Sequence, residues 1–272
     1  MERSQADQSE SVARSILAHY ADCMVSSLGE SLEAVILCGS LATGSYVPGE
    51  SDIDQITILR REAVPEAEAV VRKCREMAMH ARGGGVNLAD VVYRPEHLDR
   101  PWRTEWDVRP ETKHLVTVPE ELLRIHDHGQ VIYSRGFQIS DLPRPTIEEM
   151  VLYQARWRNW NAQYQEMHPE FTASVEEHPT PRVAAQSILS RAIWHYYFAT
   201  GRTCFNKHRV AERLRCDVPR YLFQDAADLA TRVRMRASRD VLEDELRALR
   251  SWFRAIREWC GAHPVEAVPS AP

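Results

Sequence analysis

The sequence predicts an α+β fold: a mixed sheet with flanking helices over residues 1–143, followed by an all-helical domain over 144–272. Short apolar, β-branched runs set off by turns mark strands in the first half. After the loop Asp141-Leu142-Pro143-Arg144-Pro145 the composition changes, and from Thr146 nearly every stretch is helix-forming, with glycine almost absent. The chain of 272 residues, 44% of them hydrophobic, is long enough for one large core or two smaller ones.

Val12, Ile16, Leu17, Tyr20, Met24 and Leu28 recur at spacings of one to four, so residues 10–28 form one face of an amphipathic helix closed by Gly29. Glu33 to Cys38 is a short apolar run, the pattern of a buried strand, and Ile53 to Leu59 is a second strand, alternating and β-branched. Pro65 opens a helix with Ala67, Val70, Val71, Cys74 and Met77 inward. The triple glycine at 83–85 leads into a third strand, Val86 to Tyr93. Leu122 to Ser134 reads as two short strands about a His128-Gly129 turn. Thr146 with Glu149 three residues later is a capping-box pattern, and helices are expected over 147–167, 181–200, 206–215, 219–236 and 238–261.

The net charge of −5 disfavours a nucleic-acid partner or an anionic membrane surface, and no apolar run reaches membrane-spanning length. The six cysteines include no C-x-x-C pair, and several sit among apolar neighbours, which reads as reduced thiols in a cytoplasmic protein.

The stretch CGSLATGSYVPGESDIDQI departs from an ordinary core element. Asp52 and Asp54 lie two apart on a strand and so share one face. Two such carboxylates repel unless a cation sits between them, and oxygen ligands on a rigid strand suit Mg²⁺ bound together with phosphate oxygens. Asp90, on the third strand, would join them if that strand pairs beside the second, completing a site for two metal ions. Gly39 would let the backbone approach a triphosphate, with Ser40 and Ser51 adding hydroxyl donors.

A G-S, a D-x-D on the next strand and a third acid together resemble the nucleotidyltransferase superfamily typified by DNA polymerase β. Within it the chain looks most like the kanamycin (4′) nucleotidyltransferase group. In the first half the likeness covers CGSLATGSYVPGESDID, ADVVYRPEHL and IHDHGQVIYSRG. In the second it covers ARWRNW, SILSRAIWHYYFATGRTCFNKHRVAERL and ALRSWFRAIREWCGAH. The resemblance implies an α/β nucleotidyltransferase domain followed by a helical bundle, binding Mg–NTP and an aminoglycoside. A nucleoside monophosphate would pass to a hydroxyl of that small molecule, in a homodimer whose sites draw on both subunits.

By the same resemblance Asp52, Asp54 and Asp90 take the metal-binding places, and Gly39, Ser40 and Ser51 the phosphate-contacting ones. Arg156 stands where that group has a lysine touching nucleotide and substrate. ATP is the expected donor, although no motif reads the base. The group's catalytic glutamate is replaced here by Leu152. Glu149 is the candidate base in its stead, two turns before Arg156 on the same helix face, with Glu105 and Asp107 as further candidates.

Other residues have simpler readings. His126, Asp127 and His128 are expected at a hairpin tip rather than on a metal. Trp157, Trp160, Tyr164, Trp194, Tyr196 and Tyr197 are expected in interhelical packing. The basic run Arg232 to Arg236 is expected at a solvated helix end. Transfer to tRNA or protein, transfer to a lincosamide or other metabolite, and a non-catalytic nucleotide-binding role remain open alternatives.

Overall fold

The strand Leu32–Leu37 (β1) is apolar at nearly every position because it is covered on both faces. Val35 and Leu37 enter one core cluster, Ala34 and Ile36 the other. The computed structural model describes residues 2–60, 66–80, 87–93, 119–154, 180–236 and 241–262; at positions 2–9, 90, 257 and 260–262 it describes the backbone alone. The chain divides into two compact units, Met1–Pro145 and Thr146–Pro272.

In the first unit β1 lies inside a four-stranded sheet of order β3-β2-β1-β4, with β2 at Ile53–Leu59, β3 at Leu88–Tyr93 and β4 at Gln130–Ser134. β1 is antiparallel to β2 and to β4, whereas β2 and β3 run parallel and are connected through the helix Ala67–His80 (α3). The long helix Glu2–Leu28 (α1) and α3 cover one sheet face. There Ile16, Leu17, Tyr20 and Met24 pack with Val71 and Cys74 over Val35, Leu37, Ile53 and Leu59. The buried Tyr20 hydroxyl and Thr57 Oγ1 lie 3.0 Å apart, tying α1 to β2 by a hydrogen bond. Between β1 and β2 the chain forms a one-turn helix, Gly39–Thr43 (α2), which Gly44 terminates.

The other face packs Ile36, Ile56, Ile58 and Tyr93 against Leu122 and Ile125 of the helix Pro119–His128 (α4). This corrects the expectation of a hairpin over Leu122–Ser134. Pro119 stands at the helix start, Glu120 and Glu121 fill its first turn, and Leu122, Leu123 and Ile125 make a buried helical stripe. The Gly129 amide donates to the Ile125 carbonyl at 2.7 Å, which closes the helix immediately before β4 begins. His126–His128 are therefore a helix end and not a strand tip. Asp127 there accepts two hydrogen bonds from the Arg144 guanidinium, at 3.0 and 2.9 Å.

In the second unit the regular elements among the described residues are helices: residues 147–154 (α5), Pro181–Thr200 (α6), Val210–Asp217 (α7), Gln224–Arg234 (α8) and Glu243–Ala262 (α9). α6 is set by Pro181 in its first turn, by Thr180 Oγ1 accepting from the Val183 amide, and by Gly201 at its end. Its Ala184, Ile188, Ala192, Tyr196 and Tyr197 are buried, and Trp194 meets Phe205 edge-on at 5.6 Å. The buried Tyr196 hydroxyl donates to Asp217 at 2.7 Å. The basic run is only partly solvated, since Arg234 is buried and donates to Gln186, while Arg236 pairs with Glu245. No helix among the described residues is long and apolar enough to cross a membrane.

Candidate active site

The last ladder contact between β1 and β2 brings the two conspicuous motifs together. The Cys38 amide donates to the Asp54 carbonyl at 2.9 Å, and the next residue, Gly39, takes a left-handed φ of +66° to turn the chain into α2. A β-carbon on Gly39 would overlap the Asp54 carboxylate and lie 2.7 Å from Asp54 Cβ. Only glycine fits there, on both counts. The G-S turn and the D-x-D strand end thus touch.

Around that contact α2 starts with Gly39 and Ser40, and first-turn amides of a helix have no intrahelical acceptor. Ser40 is largely buried and its carbonyl receives the Ser45 amide at 2.9 Å. Thr43 Oγ1 lies 3.1 Å from the Gly39 carbonyl and 3.1 Å from Ser45 Oγ. Ser51 closes the loop into β2: its Oγ accepts from the Val47 amide at 2.9 Å, and its own amide donates back to Val47 at 2.8 Å. The Ser51 hydroxyl is thereby built into the loop that presents Asp52.

Asp52 and Asp54 are both partly exposed, and the charge of each is felt locally. Burial, then Asp52 and Glu10, hold the Tyr46 phenol above its ordinary range. Burial, then the charges of Asp54 and Glu121, push the Cys38 thiol up, with Arg124 opposing. Glu121, on α4, belongs to no motif that marks it in the sequence. Burial holds its carboxyl above the usual carboxylate range and Asp54 adds to the shift, while the Tyr93 hydroxyl, which hydrogen-bonds to Glu121 Oε2, and Arg124 act against it. Negative charge from β2 and α4 therefore converges beside the Gly39 turn. Acids in a helix's first turn complement its dipole in any protein, so Glu121 becomes conspicuous only once α4 is packed on the sheet.

Asp90 is on β3, which does pair beside β2. The register sets Asp90 opposite Gln55, and Ala89 opposite Asp54. Leu88 and Val92, two residues either side of Asp90, pack into the α1–α3 cluster, and Tyr93 packs into the other. Among the described side chains, no group of three or more His, Cys, Asp or Glu is placed to hold a metal ion. The Asp52–Asp54 pair does suit a hard cation that completes its shell with phosphate oxygens and water, a chemistry needing one or two protein carboxylates.

Glu149 lies in the second unit, where its carboxylate accepts from the Thr146 amide at 2.8 Å and its amide donates to Thr146 Oγ1 at 3.2 Å. The capping box expected at this position is formed. Leu152 is exposed. Arg156, Glu105, Asp107, Trp157, Trp160 and Tyr164 lie outside the described residues.

No protein-family model matches the sequence, and no curated protein does. Among solved structures, the spectinomycin adenyltransferase AAD(9) from Enterococcus faecialis, crystallised with ATP and spectinomycin, is similar to this chain with a TM-score of 0.53. The match is 10% identical and covers 89% of this chain and 99% of that one. The chain shares the fold of that structure. The likeness does not single out the kanamycin-type group. Two toxin–antitoxin structures, one with AMP-PNP, match over 59% and 56% of this chain at 12% identity, with TM-scores of 0.26 and 0.24 that carry no argument.

Proposed function

We propose that the chain is a Mg²⁺-dependent nucleotidyltransferase that moves a nucleoside monophosphate from ATP to a hydroxyl of an aminoglycoside-type antibiotic. The observation that carries this reading is the contact at Gly39, where the Asp54 carboxylate of the D-x-D packs directly on the glycine that starts α2. The fold it shares with an enzyme crystallised with ATP and spectinomycin supports the same reading.

In this mechanism the triphosphate lies over the start of α2, where the amides of the first turn face its oxygens, and the missing Gly39 side chain lets the Asp54 carboxylate stand against that turn. Asp52 and Asp54 would hold the metal; Asp90, which the register sets beside Gln55 and which shares a face of β3 with Leu88 and Val92, is given no share in it. The metal, when bound, neutralises phosphate charge and lowers the pKa of the acceptor hydroxyl. The hydroxyl attacks the α-phosphorus in line, forming one phosphoester bond as the bond to pyrophosphate breaks. Ser40 and Ser51 steady the turn that carries the phosphates, and Arg156 is proposed to balance charge on them. Glu149 is the proposed acceptor of the hydroxyl proton, while its Oε2 caps the Thr146 amide. Most of the acceleration comes from positioning and charge neutralisation.

The test is α-labelled ATP with Mg²⁺ and a panel of aminoglycosides including spectinomycin, with Asp54→Asn as the blank. Acid-soluble labelled drug that disappears in the variant supports the reading. Label that precipitates with acid moves the acceptor to RNA or protein, and no label in any fraction rejects the reading.

A further inference from the structure

The sheet face opposite the carboxylates is covered by α1 and α3, and each helix contributes a cysteine to their shared seam. Cys23 on α1 and Cys74 on α3 place their sulfurs 2.6 Å apart, both as free thiols. That leaves about 0.6 Å to the bond length of a disulfide. Cys74 is buried, and its sulfur also lies 3.8 Å from Ser27 Oγ. Cys23 is half-buried and so is the sulfur a small oxidant reaches. Burial, followed by the contact with Cys23, pushes the Cys74 thiol up to about 11, so Cys74 stays protonated and is not the sulfur that meets the oxidant first.

We propose that Cys23 and Cys74 are a modification site, closing to a reversible disulfide when the chain meets a peroxide. Hydrogen peroxide oxidises the Cys23 sulfur to a sulfenic acid, its O–O bond breaking and one water leaving. The Cys74 sulfur then attacks the Cys23 sulfur, the S–O bond breaks, and hydroxide leaves with the Cys74 proton as a second water. Two thiols have lost two electrons, and one peroxide has become two waters. The two cysteines are 51 positions apart, and the covalent loop so formed contains β1, α2 and β2, hence the whole G-S and D-x-D apparatus. Oxidation therefore fixes the helical layer behind the carboxylates without touching them. This inference does not depend on the proposed reaction.

The purified full-length chain is treated with hydrogen peroxide, alkylated with iodoacetamide, and mapped by mass spectrometry without reduction. The expected result is an intact mass lower by two hydrogens and a peptide pair joined through Cys23 and Cys74. Trypsin leaves Cys23 and Cys38 on one peptide, so fragmentation must place the bond at Cys23. The melting temperature should rise, by up to about 10 °C for a loop of this length, and fall back with dithiothreitol. Cys23→Ser should lose both effects while the exposed Cys216 still alkylates. The proposal is overturned if both cysteines carry iodoacetamide after oxidation, if the bond joins Cys38, or if oxidation stops at a sulfinic acid. The mapping is done on the unsubstituted chain, so it stands even if a serine variant folds poorly.

Discussion

Replacing Gly39 by alanine tests the central contact most directly. Alanine at a φ of +66° costs about 1–2 kcal/mol, the ordinary penalty of the left-handed region for a residue with a β-carbon. The steric cost is separate. The new methyl would overlap Asp54 Oδ2 and lie 2.6 Å from Cγ and 2.7 Å from Cβ, while ordinary contacts begin near 3.4 Å, so the carboxylate must swing away and Asp54 or the turn must retreat by roughly 0.8 Å. Overpacking of this kind costs about 1–3 kcal/mol, for a total near 2–5 kcal/mol. Gly49→Ala supplies the control: its φ is +74°, yet nothing lies within 4 Å of the added carbon, so only the backbone penalty applies. Urea unfolding should show Gly39→Ala losing more stability than Gly49→Ala by the steric difference. Where both variants remain folded, transfer should fall about 100-fold in Gly39→Ala, as expected for a misplacement approaching 1 Å, and stay near normal in Gly49→Ala. Equal stability losses in the two variants, with turnover kept by Gly39→Ala, would refute the reasoning.

Three further outcomes follow from other groups. Because Glu121 holds its proton more tightly in the folded than in the unfolded chain, stability should fall as pH rises from the usual carboxylate pKa of 4.5 to its raised native value. Glu121→Gln should remove that fall, by about 1.4 kcal/mol for each pH unit of the window, as read from urea midpoints across pH 4–8. Burial holds His195 and His208 below their ordinary 6.5, so the unfolded chain takes protons there first and stability should drop as pH falls below that value. His195→Phe, placed where the ring lies tilted at 4.7 Å from Tyr221, should reduce that acid limb to the share of His208 in a pH series of melting curves. Thr146→Ala should cost about 1 kcal/mol by opening the capping box, whereas Glu149→Gln should leave stability nearly unchanged, so a large loss of turnover in Glu149→Gln would mark chemistry and not capping.

Much of this arrangement was legible in the residues. β1 and β2 follow from short apolar runs, and Gly39 between a buried strand and a D-x-D stood out because no packing argument called for it. The segment 119–128 misled because LLRI is apolar and short, and at that length a strand and a helix stripe look alike. What decided it was Pro119 with two acids at the start, a signal outside the window read as strand. The position of Asp90 depends on the register of a parallel pair, which strand neighbours fix and periodicity does not. Glu121 was silent for the same reason: its proximity to Asp54 is a fact of how α4 lies on the sheet.

The ladder that ends at Cys38 and Asp54, and not the residues between them, sets the spacing of the two motifs. Ser51 closes the intervening loop back on Val47, leaving Pro48 and Gly49 exposed at its tip. Length at that tip is thus decoupled from chemistry. Extra residues spliced between Pro48 and Gly49 would bulge into solvent while both motifs keep their register. The tip is a natural port for a reporter or a tether set close to the carboxylates and mechanically isolated from them.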